Sequence, residues 1–138
     1  MSYHNEKLKN ILDAPVGEVI DSVEKTFGFI SSLKINQNFN DNILKRHIEV
    51  QGNGKTIFIS ESVSDCKLLP KKLIDDLLTK KEGIGTILRK NNFRLNRRIL
   101  SIQHDVKKNT LVRKYYLHSG DCIWFTISET FLLDNFSS

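Results

Sequence analysis

Apolar and polar positions alternate most regularly over residues 123–132. Ile123, Phe125, Ile127 and Phe131 share one parity, and Trp124, Thr126, Ser128 and Thr130 share the other, as expected of a half-buried strand. Glu129 has the parity of the apolar set. A carboxylate on the buried face of a strand is costly unless a cation or a ligand compensates it. Residues 42–51 behave in the same way: Leu44, Ile48 and Val50 alternate with Lys45, His47, Glu49 and Gln51, and Arg46 falls among the apolar set. Arg46 is therefore the first candidate partner for Glu129.

The remaining elements follow from period and punctuation. Asn53-Gly54 turns a hairpin after residue 51. The returning strand, 55–63, puts Ile57, Ile59 and Val63 on one face, with Glu61 as a second inward carboxylate. Further strands are expected over 29–34, 93–104, 110–119 and 122–132. Asn36 to Asn42 is Asn-rich and reads as a loop. Helical spacing marks residues 5–12 and a second helix from Pro15 to about Thr26, with Asp13 as N-cap and Gly28 as terminator. It also marks 68–80, through Leu69, Leu73, Ile74, Leu77 and Leu78. Gly83-Ile84-Gly85 interrupts that pattern before a further helical turn over Thr86–Lys90. A Gly-jointed helix–turn–helix suits a lid or plain packing. The sum is one α+β domain over residues 1–138, an antiparallel sheet of five to six strands with helices on one side.

Composition narrows the chemistry. The net charge of +5 favours an anionic partner. Cys66 and Cys122 form no CxxC and have no His at zinc spacing, so no metal is expected, and two free thiols fit a reducing compartment. The first residues lack an apolar leader, and no run is long enough to span a bilayer; a soluble, cytoplasmic protein is the expectation. There is no phosphate loop and no Ser nucleophile elbow. Arg89-Lys90 and Arg94 to Arg98 are basic around Phe93, but no reading helix accompanies them, and nucleic acid is set aside. The inward-facing charges are the sharper signal: Arg46, Glu129, and Arg113 among Leu111, Tyr115 and Leu117. They read either as a structural buried ion pair or as a site where Arg binds a ligand carboxylate.

Five segments, in order, carry a resemblance: Leu44-Lys-Arg46-His-Ile48; Gly83-Ile84-Gly85-Thr-Ile-Leu88; Asn96-Arg97-Arg98-Ile99; Arg113 to Tyr116 with Gly120; and Ile127-Ser128-Glu129-Thr130-Phe131. Together the chain resembles chorismate pyruvate-lyase and its archaeal, cyanobacterial and plastid relatives, from about residue 11 to 132. His47 and Arg98 stand where that family usually has an acid, and Leu133 replaces a Pro. The resemblance implies a ligand cavity enclosed by helix–turn–helix lids. It implies conversion of chorismate to 4-hydroxybenzoate and pyruvate, for quinone biosynthesis, with no cofactor, in the cytoplasm or a plastid stroma. By position, Arg46 and the backbone N–H of Ile84 would hold the ring carboxylate, and Glu129 would accept a hydrogen bond from the ring hydroxyl. Arg97 or Arg113 would face the departing enolpyruvate. The same fold also serves as the effector-sensing domain of some bacterial transcription regulators. Those domains follow a winged helix, for which residues 1–36 are too short, so the stand-alone enzyme is preferred over a non-catalytic carboxylate-binding module.

Overall fold

The computed structural model describes residues 6–79 and 81–136; Asn5 and Lys80, which the expected helices include, lie outside the described residues. The elements run α1 (Glu6–Leu12), α2 (Val19–Phe27), β1 (Ser32–Asn40), β2 (Ile43–Gly52), β3 (Lys55–Asp65), α3 (Lys71–Thr79), α4 (Ile84–Lys90), β4 (Asn96–Asp105), β5 (Thr110–Ser119) and β6 (Cys122–Leu132). The strands form one antiparallel sheet in the order β1-β2-β3-β6-β5-β4. The expected α+β class, with helices on one face of the sheet, is the observed one. No helix among the described residues is long and apolar enough to cross a membrane.

The inner face carries two apolar clusters. Leu44, Leu117 and Phe125 pack under Leu73 and Leu77 of α3 and Ile87 and Leu88 of α4. Ile48, Val50 and Phe131 pack under Leu8 and Ile11 of α1, Val23 of α2, and Phe136. This amphipathic packing, more than intrinsic propensity, stabilises such short helices. Arg46, Arg113 and Glu129 are buried on the same face.

Three expectations are corrected. Residues 36–40 continue β1 instead of forming a loop, because they pair with residues 43–47 of β2; only Asp41 and Asn42 turn the chain, both at positive φ, which these residue types tolerate. β1 is an edge strand, so polarity there costs little. Secondly, β3 presents the opposite face: Phe58, Ser62 and Ser64 are buried, Glu61 and Val63 are exposed. Gln51 pairs with Thr56 and Val50 with Phe58, leaving Ile57 as the extra residue of a bulge, and one such residue reverses parity. Thirdly, α2 begins at Val19, not Pro15. Residues 15–18 form a turn closed by Glu18 N–H to Pro15 O (3.0 Å), and Asp13 pairs with Lys9 (2.9 Å). Gly28 does end α2, in the left-handed conformation (φ 76°), with its N–H on Glu24 O at 2.8 Å.

The turn before α2 meets the start of α4 backbone to backbone. A Cβ on Gly85 would lie 2.8 Å from Gly17 Cα, and Gly17 itself has φ +91°. Only glycine allows this approach on both sides. Gly85→Ala should therefore force the two segments apart and lower stability by roughly 1–3 kcal/mol. Urea unfolding measures this; an unchanged midpoint would mean that the contact bears no strain.

Candidate functional site

Strand pairing sets the site. One row across the inner face reads Ile48, Ser60, Glu129, Arg113, in β2, β3, β6 and β5. The adjacent row reads Gln37, Arg46, Ser62, Ile127, Tyr115, from β1 to β5. Glu129 and Arg113 are thus direct cross-strand neighbours. Arg46 is two strands from Glu129, roughly 10 Å at the usual strand spacing, and in the next row. This overturns the expectation that Arg46 compensates Glu129.

Arg113 compensates it instead. Arg113 Nε donates to Glu129 Oε1 at 2.8 Å, and Nη2 lies 2.6 Å from the same oxygen. Nη1 donates to Leu12 O at 2.9 Å, at the end of α1. The Tyr115 hydroxyl donates to Glu129 Oε2 at 2.8 Å. Both carboxylate oxygens are therefore held, and Arg113 and Glu129 are 2% and 3% exposed. Burial first, then the Glu129 charge, push the Tyr115 phenol well above its ordinary pKa, so it remains a donor. The Arg97 and Arg113 guanidinium carbons lie 5.0 and 5.1 Å from the Tyr115 ring centroid, a cation–π arrangement.

Where the two core clusters meet, a cavity of about 70 Å³ opens against this group. Its floor includes Ser60, Tyr115, Ile127 and Glu129; its roof is Val16–Gly17 and Val19–Ile20 on one side and Gly83–Thr86 on the other. Most of the lining is apolar. Arg97 enters the wall, tied by Nη1 to Ala14 O at 3.0 Å; its Nε is buried without a hydrogen-bond partner, and burial draws its pKa down.

Of the residues singled out in the sequence, Glu129, Ile84 and Arg97 line this cavity; Arg46 and Arg113 do not. Arg113 stands behind Glu129. Arg46 is buried at the approach to α4, where Nε donates to Gln37 Oε1 at 3.1 Å and Nη2 to Glu82 O at 3.0 Å. These partners are neutral, and Nη1 is buried with none. Burial accordingly holds the Arg46 pKa down at about 10. Sequence reasoning missed the contributions of Ser60, Tyr115 and Gly17. The shared parity of Arg113 and Tyr115 was a usable signal for the tyrosine; nothing in the pattern marked Gly17. Among the described residues, no group of three His, Cys, Asp or Glu could hold a metal ion.

The arrangement offers a fixed carboxylate, a second cation in the wall and a mainly apolar surround, the features of a small-molecule site. The buried pair also has a stability consequence. Glu129→Gln leaves the Arg113 charge buried without its counterion and should cost roughly 3–5 kcal/mol. Removing both charges, as Arg113→Met with Glu129→Leu, should recover most of that in denaturant unfolding. A double variant no more stable than Glu129→Gln would contradict the pairing.

No family model matches the chain, and no curated protein matches it. Solved structures do match. One is described as a transcriptional regulator of the GntR family from Bacillus cereus; it shares 9% identity over 78% of this chain and 95% of its own, with a TM-score of 0.52. At that identity the likeness is one of fold.

Proposed function

We propose that the chain binds a small ring carboxylate in the cavity beside Glu129 and acts on chorismate, releasing 4-hydroxybenzoate and pyruvate. The observation that carries this reading is the meeting of a held carboxylate, Glu129, with the Arg97 guanidinium in a mainly apolar cavity under the Gly83–Thr86 lid. In the reaction the ring loses one hydrogen as a proton, the C–O bond to the enolpyruvyl group breaks with its electron pair, and the ring becomes aromatic. Enolpyruvate then takes up a proton to give pyruvate. The driving force is in the substrate, so the protein's task is to hold a reactive conformer and stabilise the leaving oxyanion.

Each residue has a role in this reading. Glu129 accepts the ring hydroxyl's hydrogen bond, and Arg113 and Tyr115 fix its orientation. Arg97, whose Nε has no partner, faces the leaving oxygen. Arg46 lies outside the cavity wall as it stands; with the Gly83–Thr86 segment lifted, its unpartnered Nη1 holds the ring carboxylate with the Ile84 N–H, where Gly83 supplies no side-chain cap. The cavity, at about 70 Å³, is far smaller than the roughly 300–1,000 Å³ of ordinary ligand pockets, so a ring substrate fits only if the segments at Gly17 and Gly85 part.

The small cavity and the regulator neighbour favour a second reading, a non-catalytic module that senses a small carboxylate. One assay separates the two. Purified protein mixed with chorismate should yield 4-hydroxybenzoate and pyruvate in equal amounts, above the spontaneous rate. Tight binding of 4-hydroxybenzoate without turnover selects the sensor, and neither activity nor binding removes both. Arg46→Ala should retain the fold but weaken 4-hydroxybenzoate binding by roughly tenfold or more, the scale of a lost charge-assisted contact; unchanged affinity removes Arg46 from the site.

A further inference from the structure

β4 is an edge of the sheet, pairing among the described residues with β5 alone. Exposed edge strands are usually protected by charge, proline or a covering element. The middle of β4, Ile99 to Gln103, has no charge and no proline, and Ile99, Leu100 and Ile102 are 44%, 46% and 40% exposed. The other edge, β1, is guarded differently, with Lys34 and the asparagines 36, 38 and 40.

We propose that β4 pairs with β4 of a second copy of this chain, antiparallel about a two-fold axis at Ile102. The charge pattern selects this occupant. Arg98 lies at one end of the strand and Asp105 at the other, both exposed, so antiparallel self-pairing places each arginine against the other copy's aspartate. The pairing faces are consistent as well. Pairing with β5 puts Ile99, Ile102 and His104 on the inner face and Arg98, Ser101, Gln103 and Asp105 on the outer, with a register shift between Ile99 and Ser101. If Leu100 stays bulged in both strands, Arg98 opposes Asp105, Ile99 opposes His104, Ser101 opposes Gln103 and Ile102 opposes itself. Every pair then joins residues of one face, as a ladder requires. The contact is self-complementary, the property of a two-fold interface, and it covers the exposed apolar residues. It is independent of what the cavity binds.

The test is sedimentation of the full chain across a wide concentration range. The wild type should form a dimer. Ile102→Lys sets two ammonium groups face to face on the axis and should raise the dissociation constant by roughly a hundredfold or more. Arg98→Asp and Asp105→Arg should each weaken the dimer by roughly tenfold, and the double reversal should restore it. Circular dichroism checks the fold of each variant. Ile102→Lys keeps the test decisive should Asp105→Arg, which loses a bond from Lys108 N–H (3.1 Å), disturb its turn. A wild type that stays monomeric, a dimer indifferent to Ile102→Lys, or a folded double reversal that fails to re-form the dimer would each overturn the proposal.

Discussion

The buried ion pair between Arg113 and Glu129 is the constraint on which the site depends. Two charges on the inner face of a sheet carry a large desolvation cost, which geometry must offset. Here Glu129 is satisfied by Arg113 on one oxygen and Tyr115 on the other, while Arg113 reaches on to Leu12 O. The last contact fixes the end of α1, and the Arg97 bond to Ala14 O fixes the segment leading to the Gly17 turn. The charged group on the sheet therefore positions the chain that roofs the cavity. Fold stability and site geometry share the same side chains.

The roof itself depends on a close backbone contact. Gly17 and Gly85 let two segments, 68 residues apart in sequence, meet without side chains between them. An ion pair between Arg89 of α4 and Asp21 of α2 spans the same two elements at the surface. Such exposed pairs contribute little by themselves, so the seam holds chiefly by packing.

Much of this was legible in the sequence. β2 and β6 run over the stretches where alternation was cleanest, and the charges at positions 46, 113 and 129 were found because each breaks an apolar row. What failed has physical causes. The bulge at Ile57 reversed the parity of β3, and no local pattern announces a bulge. The Asn-rich end of β1 resembles a loop because an edge strand draws its hydrogen bonds from a neighbour, not from its own composition. The wrong partner was first given to Glu129 because strand order is not written in periodicity: β5, and not β2, lies beside β6. Broken parity brought Glu129 to notice and the family resemblance brought Ile84 and Arg97, whereas Gly17 acquires its part only from tertiary contact.

The most direct test of the account is a crystal structure of the protein with 4-hydroxybenzoate. The account predicts a ligand between Glu129 and the Gly83–Thr86 segment, its hydroxyl at the Glu129 carboxylate and its carboxylate toward Arg46, with Gly17 and Gly85 moved apart. A saturated crystal with the ligand elsewhere, or with the Glu129 cavity empty and the glycine contact unchanged, would contradict it.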